Sequence, residues 1–233
     1  MLKVSGFFIL LCGLLASSSA QEALSRASFQ ITNALTRGLS GTNILSALQT
    51  IDFQGSLKNV FSLARGNHIL GGLLTNGDAN FMVQITDFRL LQVYIENSPN
   101  FKGVELRIPL AFSIQIKFLA LNPYIFHVRT DMRVQLYLEK GADSKYRLAF
   151  GHCRTAPDTV WVQSENLVTP VKKIIVENIE RVLGDLIIHN LEAKMCPFIN
   201  SCLYNLNPQV TNELISLLME QGRFQATTQM PSK

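Results

Sequence analysis

The stretch VELRIPLAFSIQIKFL, residues 104–119, alternates between apolar and mostly polar side chains along its whole length. Its apolar members are Val104, Leu106, Ile108, Leu110, Phe112, Ile114, Ile116 and Phe118. Successive side chains of a β-strand point to opposite faces, so this strand has one apolar face and one polar face. It is also about three times as long as a usual strand. A chain with such a strand must cover a long apolar stripe, either with its own helices or with another apolar material.

Other segments after residue 80 also alternate with the period of a strand. They are residues 81–96 (imperfectly), 124–139, 146–153 and the short run 159–163. The intervening segments 98–100, 120–123 and 140–145 are rich in turn residues. Sequential strands joined by short turns predict an antiparallel meander.

Helical periodicity occurs on both sides of these strands. Residues 22–51 predict a helix interrupted near Gly38 and Gly41, with a second piece capped by Thr42 or Asn43. Residues 53–77 are ambiguous, because a helical start is followed by a glycine-broken run. Residues 167–192 predict one long amphipathic helix. A last helix is predicted to start at Pro208 with Asn207 as its cap, before a loose tail at about 222–233.

This order of elements predicts an α+β fold in which long amphipathic helices pack on one face of a bent antiparallel sheet. A helix of about 25 residues matches the length of about 11 strand residues. The helix over 167–192 can therefore cover the apolar stripe. We call the predicted contact between helix and sheet the seam, and predict that lipid binds among its members: Leu106, Ile108, Leu110, Phe112, Val134, Leu136, Ile175, Ile179 and Val182.

The first 20 residues have the features of a secretory signal peptide. Lys3 precedes the apolar run GFFILLCGLLA, and the small residues Ser18 and Ala20 precede a cleavage point before Gln21. A membrane anchor is the alternative, but the run is too short to span roughly 30 Å of hydrocarbon. We expect a secreted, extracellular protein with one domain over residues 21–233.

Three cysteines remain once Cys12 leaves with the leader, an odd number for an oxidising compartment. One disulfide and one leftover thiol is the simplest outcome. A bond from Cys153 to Cys196 would join a strand to a helix, whereas one from Cys196 to Cys202 would close a small local loop. We expect Cys202 to be either a buried free thiol or the link in a disulfide-bonded dimer. Without that link the protein is expected to be a monomer.

The sequence carries no recognisable catalytic or cofactor motif. It lacks HExxH, GxSxG, a Walker loop, GxGxxG and an EF-hand loop. The histidines His68, His127, His152 and His189 have no second ligand at helical spacing. We expect no enzyme activity, cofactor or metal; a hydrolase built from scattered residues is the alternative. The net charge of +4 includes no run of four basic residues, so nucleic-acid binding is not expected.

Several blocks of this sequence resemble the PLUNC group, which are short secreted relatives of bactericidal/permeability-increasing protein (the BPI fold, family A). The blocks are the leader, GVELRIPLAFSIQIKFLALNP, HVRTDMRVQLYLE, KYRLAFGHC and MCPFINS, with RTDMRVQLYLEKGADSKYRLAFGHC the strongest. The resemblance implies long helices on a highly curved antiparallel sheet. It also implies one disulfide, between the positions matching Cys153 and Cys196. It implies secretion into oral, nasal, airway or sweat fluids, with no enzymatic role.

The leading hypothesis is a secreted protein that binds lipid or another amphiphile in the seam, or adsorbs at fluid interfaces, with a possible host-defence role implied by the resemblance. Peripheral contact with membranes fits the same apolar helix faces. One alternative is antimicrobial or lipopolysaccharide binding through the basic residues Arg129, Arg133, Lys172, Lys173 and Arg181. Another is a carrier of hydrophobic odorants or tastants, which requires a closed pocket. The sequence does not choose between a pocket and helices that hinge open.

Overall fold

The computed structural model describes the backbone of residues 2–40, 43–66, 81–97, 104–118, 123–165 and 170–220. It describes the side chains of 21–40, 43–61, 81–96, 104–118, 123–165 and 173–219. The predicted turns at 98–100 and 120–122, the end of the ambiguous segment 53–77, and the tail at 222–233 lie outside these ranges.

Three helices, five strands and two more helices follow one another along the described chain. The helices are α1 (Leu2–Ser40), α2 (Ile44–Gln49), α3 (Phe53–Gly66), α4 (Pro170–Tyr204) and α5 (Pro208–Glu220). The strands are β1 (Phe81–Leu90), β2 (Tyr94–Asn97), β3 (Val104–Phe118), β4 (Tyr124–Lys140) and β5 (Tyr146–Ser164). This confirms the predicted α+β class.

The strands form one antiparallel sheet in the order β1-β3-β4-β5, and β2 also pairs with β3. The predicted first strand over 81–96 is wrong in one respect, because residues 91–93 interrupt it. Val93 is fully buried, and its N–H donates to Thr32 Oγ1 on α1 at 2.9 Å. Since the chain turns inward here to reach α1, β1 and β2 become two pieces of one edge strand.

Bulges bend the sheet at three places. Thr86 and Arg89 on β1 flank one, and Asp87 within it has a φ of 55°. The other two lie between β4 and β5, opposite Thr130 and Gln135. Extra residues on one strand increase its local twist and bend, so these bulges allow the sheet to curve around the helices.

β5 is one strand of 19 residues, so the prediction of two strands at 146–153 and 159–163 is wrong. Pro157 lies between the two predicted strands, and proline cannot donate a ladder hydrogen bond. In the structure Pro157 belongs to a bulge, since the pairing moves from Asp131–Ala156 to Arg129–Trp161. Bulge residues are unpaired, so the missing N–H of proline costs no ladder bond there.

The buried side of α4 follows a strict four-residue spacing. Its members are Ile175, Ile179, Leu183, Ile187, Leu191, Met195, Ile199 and Leu203, all at most 7% exposed. Each step of four residues exceeds a full helical turn by about 40°, so this stripe winds around the helix. Its ends therefore face different neighbours, and α4 contacts β5, α1, α2 and α3.

α4 runs for 35 residues, beyond the predicted end near residue 192. Pro197 lies inside it, where proline removes one backbone hydrogen bond. Pro197 is exposed, while Met195 and Ile199 on either side of it are fully buried. Packing of the continued stripe therefore offsets the lost bond. α5 begins as predicted, with the Asn207 side chain accepting the Gln209 N–H at 2.8 Å.

The helices and the sheet share one hydrophobic core. Ala27, Ile31, Leu35 and Leu39 of α1 enter it at four-residue spacing, as the periodicity of residues 22–51 predicted. At one end of the core Phe61 of α3 meets Phe81 and Phe118 edge-on, with ring centroids 5.0 and 5.4 Å away. Within the residues described, no helix has both the length and the apolar character needed to span a bilayer.

Candidate functional site

The sheet side of the seam is a continuous apolar layer across β3 and β4. Leu106, Ile108 and Leu110 are fully buried, and Phe112 is 3% exposed. The register places Leu106 beside Val134, and the fully buried Leu136 lies one pair further along. Because antiparallel neighbours present their side chains on the same face, the six predicted sheet positions form one surface.

The helix side of the seam comes from the first turns of α4. Ile175 and Ile179 are 7% and 4% exposed, and Val182 is partly buried against the same core. Ile174, next to Ile175, is 57% exposed because it lies off the buried stripe. The structure thus brings all nine predicted seam residues into or against one core. Whether lipid binds among them stays a prediction.

The chain's own helices cover the apolar stripe of β3 in this structure. Removing one large aliphatic side chain from water contributes about 1.5–3 kcal/mol, so eight buried seam residues amount to roughly 12–24 kcal/mol. Whole domains are stable by only about 5–15 kcal/mol. Separating the seam in water would therefore cost as much as unfolding. Separation becomes possible where another apolar phase replaces the lost contacts.

Covalent and polar links tie α4 to β5. Cys153 and Cys196 form the disulfide that the resemblance implied, with their Cα atoms 5.8 Å apart. His152 Nε2 lies 3.8 Å from Glu192 Oε1 next to it. Further along, Glu180 Oε1 accepts the Ser164 N–H at 2.8 Å. The α4–β5 contact thus contains a covalent link at Cys196 and a hydrogen bond nearer the start of α4.

Cys202 is the free cysteine of the described chain and is partly buried. A Cβ on Gly38 of α1 would overlap with its Sγ, so α1 packs tightly over the thiol. Burial raises the pKa of this thiol above its usual value. These contacts support the free-thiol alternative over the disulfide-linked dimer.

The opposite face of the sheet carries a network of charges that the sequence did not reveal. Glu105 has no exposed surface, and its Oε1 accepts a hydrogen bond from Arg154 Nη2 at 3.1 Å. Arg133 lies 3.9 Å from the other oxygen of Glu105 and 3.7 Å from Asp158. Register alone brings these residues together across β3, β4 and β5.

A second ion pair on this face lies beside that network. Arg107 Nε donates to Asp131 Oδ2 at 2.6 Å, and this hydrogen bond raises the pKa of the guanidinium further. Glu96 lies 4.0 Å from the same arginine. Arg107 is thus neutralised by its own neighbours.

The basic residues proposed for bacterial contact do not share one surface. Arg129 and Arg133 lie on β4 on the face opposite the seam, whereas Lys173 and Arg181 lie on α4. Lys173 pairs with Glu177 at 3.8 Å, and Arg181 donates to Asn178 at 3.4 Å. The Lys172 side chain lies outside the described residues. This distribution gives the basic-face hypothesis no support.

The described histidines are held by ordinary structural partners. His127 lies 3.2 Å from Ser113 Oγ and 3.4 Å from Glu165, and His189 lies 2.6 Å from the Asp185 carbonyl oxygen. Among the side chains that the structure describes, no group of three or more histidine, cysteine or acidic residues is placed to hold a metal. His68 lies outside these residues.

A groove that the sequence also missed crosses this same face, and we call it the outer groove. It has a volume of about 540 Å³ and is lined by Leu91, Tyr94, Arg107, Pro109, Leu110, Arg129, Thr130, Asp131, Thr159 and Trp161. Its residues come from four separated parts of the chain. The pairing of Tyr94 with Arg107 and of Arg129 with Trp161 could have located it, but register is not visible in a single sequence.

Comparison with known proteins agrees with this geometry. Residues 23–206 match the model of the LBP / BPI / CETP family, N-terminal domain. The chain belongs to this family. Its match begins two residues after the predicted cleavage point and ends between α4 and α5, so it takes in the whole sheet and the seam.

Relatives within this family cover nearly the whole chain. Latherin of Equus caballus is 45% identical over 224 residues, which are 95% of this chain and 97% of the relative. BPI fold-containing family A member 1 of Sus scrofa is 25% identical over 248 residues, 96% of this chain and 98% of the relative. The solution structure of latherin has a TM-score of 0.65 at 39% identity, covering 84% of this chain and 93% of that one. The predicted resemblance to PLUNC proteins is confirmed.

Proposed function

We propose that this protein is a secreted, non-enzymatic, lipid-binding and surface-active member of the family, which stays closed in water and opens its seam at an apolar surface. The supporting observation is the seam itself, a continuous apolar layer on β3 and β4 that shares one buried core with α4, while α4 is tied covalently to β5 at one point. Membership of the family and the likeness to latherin support the same function. Secretion rests on the predicted leader.

The opening step follows from the links between α4 and β5. The disulfide keeps Cys196 on the sheet, while the link at Glu180 is non-covalent and includes its hydrogen bond from Ser164. α4 therefore separates first along its N-terminal half, at Ile175 and Ile179. Air or lipid then takes the place of the sheet against this face, and the cost of exposing it to water disappears.

Surface pressure tests the proposal. The mature chain, residues 21–233, is expected to raise the surface pressure of an air–water interface at micromolar concentration, or to retain phospholipid through gel filtration. Ile179→Ser should lower the final surface pressure, because it lowers the apolar character of the face that adsorbs. Ile174→Ser is the matched control, since Ile174 is an exposed neighbour on the same helix. A chain that neither retains lipid nor changes surface pressure would refute the proposal.

Organic extraction distinguishes a seam that opens only at surfaces from a seam that holds a permanent lipid. Mass spectrometry of an extract from the native secreted protein should find no stoichiometric lipid if the seam opens only at surfaces. Lipid at one equivalent per chain would instead show that the seam holds a permanent ligand. The carrier alternative would then replace surface activity as the preferred function.

A further inference from the structure

The outer groove has a composition unlike the rest of its face. Three large apolar side chains, Leu91, Tyr94 and Trp161, line it while being 41%, 47% and 44% exposed. They come from the β1–β2 junction, β2 and β5, so no single element explains their clustering. The groove lies on the face opposite the seam and shares none of its helices. Any ligand here binds to the closed protein.

The polar groups of the groove floor are already paired with one another. Arg107 donates to Asp131, and the Asp131 N–H donates to Thr159 Oγ1 at 2.8 Å. The Thr159 hydroxyl in turn donates to the Ala156 carbonyl oxygen at 2.7 Å. A sugar or peptide, which needs many free hydrogen-bonding groups, would have to break these bonds. The floor therefore offers little to a strongly polar ligand.

One cation in the groove is left without a carboxylate. The Arg129 guanidinium lies 5.6 Å from the centroid of the Trp161 ring, and no carboxylate of the described residues lies within 4.0 Å of it. Among the lining residues Arg107 and Asp131 cancel each other, so Arg129 leaves the lining with one positive charge.

We propose that the outer groove binds a single-chain anionic amphiphile, with its acidic head at Arg129 and its apolar chain against Leu91, Tyr94 and Trp161. Charge complementarity selects the head, and the exposed apolar side chains select the body. A volume of about 540 Å³ is within the usual range for small-molecule sites, roughly 300–1,000 Å³. This site would act on dissolved amphiphile monomers, and it is separate from the surface activity proposed for the seam.

Trp161 is the only tryptophan of the sequence, so intrinsic fluorescence reports on the groove directly. The mature chain is titrated with dodecyl phosphate below its micelle concentration. We expect a saturable shift of the emission to shorter wavelength at one equivalent per chain. Dodecyl maltoside, which has the same chain and a neutral head, should bind more weakly. Added salt should weaken binding of the phosphate, because exposed charges are screened.

Matched variants decide where the ligand sits. Arg129→Gln should weaken dodecyl phosphate binding about fivefold, the effect of one exposed ion pair. Arg181→Gln removes the same charge from α4 and should leave the affinity unchanged. Equal effects of the two variants, or no saturable shift with the wild-type chain, would overturn the proposal.

Vesicles test whether the groove takes its acidic head group from a membrane instead of from a dissolved amphiphile. Phosphatidic acid vesicles should leave the Trp161 emission unchanged, because the proposed occupant is a single chain in free solution. A shift with vesicles and none with dodecyl phosphate would overturn the proposal in favour of a membrane surface. None of these readouts uses surface pressure, so a failure here leaves the test of the seam unaffected.

Discussion

The backbone N–H of Ser164, the last residue of β5, donates a 2.8 Å hydrogen bond to Glu180 Oε1 on α4. The disulfide from Cys153 to Cys196 lies further along the same contact, next to the Phe150 and Tyr204 rings, whose centroids are 5.8 Å apart. α4 thus runs antiparallel to β5, with a polar tie nearer the start of α4 and a covalent tie further along. The polar tie is the weaker one, and it lies over the seam.

Removing the polar tie should make the seam easier to open. Glu180→Ala is expected to lower the free energy of unfolding by about 1–2 kcal/mol, because one charge-assisted hydrogen bond is lost. Adsorption to an air–water interface should become faster at equal concentration, measured as the initial rate of surface-pressure increase. Glu177→Ala is the control on the same helix, since Glu177 is exposed and pairs with the exposed Lys173. Equal rates for both variants would mean that this tie does not limit opening.

Removing the covalent tie should lower stability much more. Cys153→Ala with Cys196→Ala opens a loop of 43 residues, which the chain-entropy account values at about 4 kcal/mol. Thermal unfolding followed by circular dichroism should show a melting temperature lower by about 8–16 °C. Cys202→Ala is the cysteine control and should stay within a few degrees of the parent. A double variant that melts with the parent would refute the structural role of this bond.

Cys202 should react slowly with alkylating reagents in the folded protein. Its pKa is raised by burial, so the reactive thiolate is scarcer at pH 8 than for an exposed cysteine. The rate of iodoacetamide labelling, measured by mass spectrometry, should rise with pH through and above the usual thiol range. Denatured chain under the same reducing-agent-free conditions serves as the reference. Labelling at the denatured rate, or a dimer on a non-reducing gel, would show that α1 does not cover the thiol.

Substitution of Glu105 should lower the stability of the protein more than substitution of an exposed acidic residue of the sheet. Glu105→Gln removes the negative charge that Arg154 and Arg133 share, and Arg133 is itself only 12% exposed. Leaving these cations without a buried partner is expected to cost about 3 kcal/mol, measured by urea unfolding. Asp158→Asn, at the exposed end of the same network, should change stability by no more than about 0.5 kcal/mol. A Glu105 variant as stable as the Asp158 variant would contradict this assignment.

Features with a local cause could be predicted from the sequence. The strands β3 and β4 follow from their alternation, and the buried faces of α1 and α4 follow from four-residue spacing. The predicted gap in β5 contains Pro157, and the predicted end of α4 lies before Pro197, but the structure continues both elements. A bulge in β5 accommodates Pro157, and the packing of α4 offsets the backbone hydrogen bond that is lost at Pro197. Both effects come from the tertiary structure.

The sequence could locate a site on one face of the sheet but not on the other. The seam could be predicted because its residues repeat along each element. The outer groove could not, because Leu91, Tyr94, Arg129 and Trp161 meet through strand pairing alone. The same holds for Glu105, which looks like a solvated residue in the sequence and is completely buried in the structure.

The thickness of the adsorbed layer tests the central claim most directly. Neutron reflectometry of the mature chain at an air–water interface measures it without a label. If α4 separates from the sheet and both lie flat, the layer should be about 10–12 Å thick, the thickness of one helix or one sheet layer. A layer of about 20 Å or more at every surface pressure would mean that helices and sheet stay stacked. The seam would then remain closed at the interface, which contradicts the proposed mechanism.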